Sequence, residues 1–565
     1  MDAKTRFLNV EDVIALERID SIFTNAVDVS PGGEELAVVV TRGYAEQSHT
    51  AIPFLIGMDL GRLQLVDLAS GGARTVLAPN GQGLSTPLYS PDGRHLAVVV
   101  ANADGLTVGV VDVESLSLSL YTRRQLLIDF QRQPPFQWID ADTLICQLLP
   151  DGEIPSCLHA TRHVRDNAPA AWNLAMGNDI STASALRIDK ENVDGGDSVL
   201  FAVRHNELHL LAVQDVHLTA VRAFEKRPKA DRIHQDALAD YHAAERILWQ
   251  GKDLTVESWR NNQGSELRVR EKDLPPRCLL KFNTHLHDVR TGEVRDVSYL
   301  LADARPGSVR CILPPDYEPG QCRPAVMFVY PRLQRTLSSA AHHWVQGPDL
   351  VYNAHLFAAQ GYVVLEPNLP FDASLDGELI DALSKAVIPA LDAVEGAGLI
   401  DRSQVQVFGQ SAGGWAVMAL LATTNEFRSG ISMAGICDVA SFETQPDVRF
   451  RYQPVQPNPH SIRIGASMLG IDELPWQAPQ RYLHNSPLYR VQDIQAPLLL
   501  MHGDLDYVHI SQSEAMFMAL NTEGKSVEFV RYWGEDHIYC SAANIRDAFE
   551  RIVGWLDRRG LELKT

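Results

Sequence analysis

Basic charge, paired cysteines and long apolar runs are all scarce in this chain. Lysine and arginine number 50 against 71 aspartates and glutamates, a formal net charge of −21. Phosphate binding needs a concentrated basic surface, so nucleic acid is not an expected partner. An anionic membrane surface is not expected for the same reason. The seven cysteines, at 146, 157, 278, 311, 322, 437 and 540, are scattered and odd in number, and none forms a CxxC pair. That pattern reads as reduced thiols and argues against a disulfide framework or a zinc site. No stretch approaches the ~20 apolar residues of a membrane span. The opening Met1-Asp2-Ala3-Lys4-Thr5 leads into a charged stretch without the apolar centre of a signal peptide. A cytoplasmic protein is the expectation, although a chain trimmed of a leader would read the same.

What is present is enough to fold. Hydrophobic residues make up 45% of the 565 positions and charged residues 21%, so large cores can be buried. The length calls for two or three domains. The chain changes character near residue 290. Before that point, short β-rich runs alternate with turns, and one unit occurs twice. Ser30-Pro31-Gly32-Gly33 precedes Leu36-Ala37-Val38-Val39-Val40, and Ser90-Pro91-Asp92-Gly93 precedes Leu96-Ala97-Val98-Val99-Val100. Short strands recurring with turn signals predict a β-propeller, with a β-sandwich or paired small β domains as the alternative. At ~40–50 residues per blade the stretch holds about five or six blades. Thr161–Leu186 breaks the rhythm and reads as a short helix or insertion.

After residue 290 buried strand runs alternate with helical patterns. Strands are expected at Ala325–Tyr330, Tyr362–Leu365 (stopped by Pro367), Val405–Phe408, Ser429–Gly435, Pro497–Met501 and Val527–Tyr532. Helices are expected at His355–Gln360, Glu378–Ala397, Trp415–Ala422, Ser513–Leu520 and Asn544–Leu556. This grammar predicts a mainly parallel sheet covered on both faces. The expected organisation is an N-terminal segment, 1–20, packing on the C-terminal domain, a propeller over 21–290, and an α/β domain over 291–565.

The chemistry concentrates in the second half. Gly409-Gln410-Ser411-Ala412-Gly413 matches GxSxG and falls between a predicted strand and a predicted helix. A turn that tight needs small residues around the serine; it lifts Oγ off the sheet and sets the Ala412 N–H at a helix N-terminus, where it can donate to an oxyanion. A serine hydroxyl needs a base. In this fold the acid and then the histidine follow the serine along the chain. Strand Pro497–Met501 ends in His502-Gly503-Asp504-Leu505-Asp506, and strand Val527–Tyr532 ends in Trp533-Gly534-Glu535-Asp536-His537. Asp504 and Asp506 each have a plain reading as turn residues. His502 competes with His537 as base, but it sits directly after its strand and before the acid. His537 follows the acid on a later strand-end loop. Ser411, Asp506 and His537 are therefore the candidate triad, with no metal or cofactor required.

These residues resemble the prolyl oligopeptidase family of serine peptidases. The resemblance is carried by Phe357-Ala358-Ala359-Gln360-Gly361-Tyr362, the GQSAGG turn, Pro475-Trp476 through Arg481-Tyr482, Asn485-Ser486-Pro487-Leu488, and the two loops that end at Asp506 and His537. It implies an N-terminal propeller on an α/β-hydrolase and a peptide substrate. It selects Asp506 over Asp504, because the family's acid lies four residues after the histidine of its His-Gly. It also implies that Tyr330, at the end of an early strand, gives a second oxyanion donor. The sequence departs from the family at Asp536, where glycine is usual, at Pro331-Arg332-Leu333 after the tyrosine, and in the short propeller. Two branches are the most similar, the isopeptidases that open bacterial lasso peptides and the glutamyl-endopeptidase-like members. Specificity residues are expected among Arg449, Phe450, Arg451, Tyr452 and Arg463, for which a solvated loop is the plain reading. An esterase or acyltransferase with the same triad, and an inert propeller scaffold, remain as alternatives. The sequence is compatible with a homodimer and does not require one.

Overall fold

The computed structural model describes residues 6–19, 26–46, 60–79, 82–102, 105–121, 124–127, 135–149, 199–204, 207–209, 245–272, 274–331, 353–369, 378–445 and 469–561, with a few single positions between. The predicted insertion over 161–186, apart from one single position, lies outside them, as do Arg449, Phe450, Arg451, Tyr452 and Arg463. The chain divides into two compact units. One comprises 11–287 with 341–346; the other comprises 1–10, 288–340 and 347–565.

The first unit is the β-propeller. It contains four four-stranded antiparallel sheets among the described residues, each built from consecutive strands. The first runs Val27–Val29, Glu35–Thr41, Gly61–Asp67 and Ala73–Thr75. The second runs Gly83–Tyr89, His95–Asn102, Gly105–Asp112 and Leu118–Tyr121. The third uses Phe136–Trp138, Thr143–Leu148, Val199–Arg204 and Glu207–His209. The fourth uses Glu245–Gln250, Leu254–Asn261, Gly264–Glu271 and Arg277–Phe282.

The repeated Leu-Ala-Val-Val-Val run is the second strand of the first two sheets, and its lack of alternation has a packing cause. Leu36, Val38 and Val40 pack with Val256, Leu267 and Val269 of the fourth sheet. Ala37 and Val39, on the opposite face, pack with Leu84, Leu96 and Val98 of the second. Ala97 and Val99 then meet Phe136 and Leu144 of the third. A strand sandwiched between neighbouring sheets buries both faces, so both must be apolar.

The Ser-Pro turns before these runs are the same device used twice. Ser30 N–H donates to the Glu35 carbonyl at 2.8 Å, and Ser90 N–H donates to the His95 carbonyl at the same distance. Each serine Oγ accepts the N–H five residues on, at 3.0 Å. Gly33 and Gly93 both sit at φ 74°, in the left-handed region that glycine tolerates.

The second unit is an α/β-hydrolase sheet of eight strands, numbered here within the unit: β1 Val294–Leu300, β2 Pro306–Ile312, β3 Arg323–Phe328, β4 Val363–Asn368, β5 Ile400–Gln410, β6 Gly430–Met433, β7 Leu498–Gly503 and β8 Val527–Tyr532. Their spatial order is β1-β2-β4-β3-β5-β6-β7-β8. The β1–β2 and β2–β4 pairs are antiparallel and the rest parallel. Helices α1 Ala354–Ala359, α2 Leu379–Gly396, α3 Ala412–Thr423, α4 Ser511–Thr522 and α5 Ala542–Leu561 accompany it. Near the chain start, Arg6–Phe7 pairs in parallel with Val289–Arg290. Among the described residues no helix is long and apolar enough to cross a membrane.

One expectation needs correcting. Pro367 does not stop β4, which continues to Asn368. The β3 ladder ends at Met327↔Leu365, whereas the β2 ladder runs on through Pro367 to Asn368. A proline is tolerated where one side of a strand needs no donor.

Asp28 ties propeller sheets together: its carboxylate accepts the Tyr89 N–H at 2.8 Å, and it also bonds with the Trp249 side chain. Burial, only partly offset by these bonds, pushes its pKa up to about 6. A carboxyl raised above its unfolded value gives stability that is complete below about pH 4 and is lost as pH climbs to about 6. Asp28→Asn keeps an acceptor for Tyr89 and removes the charge. It is expected to flatten this loss and to stabilise the protein at pH 7 by roughly 2 kcal/mol; urea unfolding from pH 4 to 7.5 measures it.

Candidate active site

β5 ends at Gln410 and α3 starts at Ala412, which leaves Ser411 alone to make the turn. Its backbone is at φ 59°, ψ −123°, a strained conformation for a residue with a side chain. Surrounding bonds hold it there. Ser411 N–H donates to the Met433 carbonyl of β6 at 2.9 Å, and its own carbonyl accepts the Trp415 N–H at 3.1 Å. The glycines follow from contact. A Cβ on Gly409 would collide with the Gly413 backbone, and one on Gly413 with the Val329 carbonyl. One on Gly414 would meet Gly435.

The Asn485-Ser486 block supports the same turn from behind. The indole of Trp415 donates to the Asn485 carbonyl at 2.8 Å. Ser486 Oγ accepts the Val439 N–H at 3.0 Å. Tyr482 reaches the buried Glu443 at 2.9 Å.

Asp506 and His537, the expected acid and base, lie on the loops after β7 and β8. His537 Nδ1 is 2.9 Å from both oxygens of Asp506. Asp506 is fully buried and also accepts the Val508 N–H at 2.7 Å. A buried carboxylate bonded this way fixes the imidazole tautomer. His502 is fully buried, and burial holds its pKa down. It donates from Nε2 to the Val508 carbonyl at 2.7 Å, while its Nδ1 lies 2.7 Å from the Ser513 hydroxyl. A neutral ring with both nitrogens engaged braces the acid loop and is not a base. Asp504 is the turn residue of the pair, because its carboxylate accepts the Gly534 N–H at 2.6 Å.

Tyr330 lies just past β3, near the Ser411 side chain. The residue is 45% exposed, yet desolvation of the phenol raises its pKa, tempered by Ser411. It is therefore a neutral donor at working pH. The Ala412 amide is the first of α3 and has no partner within the helix. Ser411 thus has a helix N–H on one side and a tyrosine near it.

Three contributors were not read from the sequence. Gln410, the variable residue before the serine, donates from Nε2 to the His537 carbonyl and clips the base loop to the nucleophile strand. Glu535 is 2% exposed, and its carboxylate accepts Cys540 N–H at 2.8 Å, Ser541 N–H at 3.0 Å and Asn544 Nδ2 at 2.7 Å. Its position ahead of α5 was the available signal, since carboxylates favour helix N-termini. Tyr507 is the third; its ring centroid lies 4.5 Å from that of His537. The glycine of His502-Gly503 also gains a reason, because a Cβ there would collide with the Glu535 carbonyl.

The clip gives a test. Gln410→Ala frees the His537 carbonyl without touching a reacting atom. It is expected to lower kcat by roughly 10- to 100-fold with KM little changed, the scale of a slightly misplaced base; steady-state kinetics on any cleaved substrate decides it.

Residues 348–560 match the prolyl oligopeptidase family. Among curated proteins, the chain is 26% identical over 258 residues to dipeptidyl-peptidase 5 of Porphyromonas gingivalis, covering 44% of this chain and 35% of that one. It is 25% identical over 263 residues to a probable chloroplastic glutamyl endopeptidase of Arabidopsis thaliana, covering 44% and 25%. The match thus spans only about a quarter to a third of these relatives' length. Among solved structures, the AtxE2 isopeptidase is similar at a TM-score of 0.66 and 16% identity, covering 99% of this chain and 97% of its own. An acylaminoacyl peptidase is similar at 0.59 and 13%, covering 97% of each chain. Those likenesses extend the shared fold to nearly the whole chain. The family match thus covers residues 348–560, and the likeness beyond it is one of fold.

Proposed function

We propose that this chain is a serine peptidase that cleaves amide bonds through an acyl-enzyme, with Ser411 as nucleophile, His537 as base and Asp506 as acid. The observation that carries the reading is the pairing of His537 Nδ1 with both Asp506 oxygens at 2.9 Å, on loops at the carboxyl ends of the strands beside the Ser411 turn. His537 takes the Ser411 proton as Oγ attacks the carbonyl, and Asp506 stabilises the imidazolium. The Ala412 N–H and the Tyr330 hydroxyl hold the oxyanion. His537 then gives its proton to the leaving amine, the acyl-enzyme forms, and water repeats the cycle to release the acid.

The substrate class is a peptide, and the finer reading is an isopeptide bond in a lasso peptide. Support comes from the AtxE2 isopeptidase, whose fold matches along nearly its full length, while the curated relatives match over a minor part of theirs. A second structure of that isopeptidase holds Astexin3-dC4, at a TM-score of 0.60.

A fluorophosphonate probe is expected to label the folded wild type at Ser411 and to leave Ser411→Ala unlabelled. Mass spectrometry of a peptide panel that includes threaded lasso peptides should show cleavage lost by at least about 10³-fold in Ser411→Ala. Tyr330→Phe should lose roughly 10²-fold. An unlabelled but folded wild type would sink the hydrolase reading. Labelling with cleavage of matched esters and no peptide would replace peptidase by esterase.

A further inference from the structure

His502, the penultimate residue of β7, is fully buried and engaged at both ring nitrogens. Nε2 lies 2.7 Å from the Val508 carbonyl, and Nδ1 lies 2.7 Å from the Ser513 hydroxyl on α4. A carbonyl can only accept, so Nε2 carries a proton. In a neutral ring Nδ1 is then the acceptor, and the Ser513 O–H donates to it. Burial, the largest influence on this ring, holds it neutral. Ser513 is itself held in place through its neighbour. Gln512 accepts the Cys437 N–H at 3.0 Å and the Asp438 N–H at 2.8 Å, and its Nε2 donates to the Ser441 hydroxyl at 2.9 Å. The start of α4 is thereby tied to the chain that follows β6.

We propose that His502 and Ser513 are a positioning pair for the acid: Ser513 selects the Nε2–H tautomer of a neutral His502, which pins the loop carrying Asp506 and leaves that carboxylate's charge to His537. The inference rests on the proposed roles of Ser411, Asp506 and His537. Val508 is bonded on both sides of its Cα. Its carbonyl accepts from His502, and its N–H donates to Asp506 Oδ1 at 2.7 Å. Loss of the first bond frees the peptide that follows Val508 and loosens the second. Charge matters as much as geometry. His502 Nε2 is 3.5 Å from Asp506 Oδ2, and His537 Nδ1 is 2.9 Å from the same oxygen. A cationic His502 would compete with the imidazolium of His537 for that carboxylate, whereas a neutral one does not. Asp506, His537 and His509 are the titratable groups whose charge acts on the His502 ring.

Saturation labelling with a fluorophosphonate across pH tests the pair. It gives a maximal rate, a half-saturation concentration and the pH at which labelling falls on the acid side, read beside Tm. Ser513→Ala removes the donor to Nδ1 and is expected to slow maximal labelling about tenfold, the scale of one buried hydrogen bond. His502→Leu removes both bonds and should lose about a further tenfold. In both variants the imidazole is paired less closely with its carboxylate and releases its proton more readily, so the acid-side fall should move down by at least about 0.5 pH unit. Half-saturation should stay unchanged. His502→Gln keeps a neutral amide donor for the Val508 carbonyl and should restore the rate to within about fivefold of wild type. The proposal is overturned if Ser513→Ala labels at the wild-type rate, if the losses come without the pH displacement, or if His502→Gln is as slow as His502→Leu. Should the leucine variant not fold, the rate and pH displacement of Ser513→Ala still decide. Unlabelled wild type sinks the nucleophile assignment itself, whereas labelled wild type with an unaffected Ser513→Ala sinks only this inference.

Discussion

The α/β-hydrolase half is organised around one backbone torsion, the positive φ of Ser411. A non-glycine residue in that region costs on the order of 1–3 kcal/mol and persists only where its surroundings over-determine it. Here the neighbours do so. Ser411 N–H is bound to β6, and its carbonyl starts α3. Three glycines let β3, α3 and the chain after β6 approach to backbone contact. Trp415, fully buried, is anchored to Asn485. In the proposed reaction the fixed turn pre-sets the serine for attack.

The two loops facing it are held by polar bonds more than by apolar packing. Glu535 binds the amides ahead of α5, and its carbonyl receives the Leu505 N–H at 3.0 Å, joining base loop to acid loop. Gln410 joins the base loop to the nucleophile strand. His502 braces the acid loop against α4. Buried polar groups that are bonded in this way specify one geometry, because breaking one bond orphans its partner at a cost of about 1–3 kcal/mol. The same bonding keeps strand-end loops, elsewhere the mobile part of a fold, in register.

Much of this was readable from the sequence wherever a local pattern had a single physical cause. The Val527–Tyr532 strand and the Glu378–Ala397 helix come within a residue of the observed elements, because their periodicity is strong. The doubled Ser-Pro unit announced the propeller because the serine Oγ bond and the positive-φ glycine are local. The Gln410 clip and the Tyr507 contact were not readable. They join residues that are distant in sequence, and neither residue type carries a motif. Pro367 misled because its tolerance depends on where the β3 pairing stops, which no single strand reveals.

The four carboxylates of the two loops differ in the bonds that favour one of them as the proposed acid. Asp504, Asp506, Glu535 and Asp536 all lie within reach of the β7 and β8 ends, and composition cannot rank them. Their bonds do. Asp504 is engaged by the Gly534 N–H, and burial raises its pKa. Glu535 is committed to the amides ahead of α5, and burial raises its pKa too. Asp536 is buried, and its charge acts on the Tyr507 phenol. Only Asp506 presents both oxygens to an imidazole nitrogen while a backbone N–H steadies one of them. In the proposed mechanism the imidazolium that forms during attack faces this one carboxylate, which stabilises it.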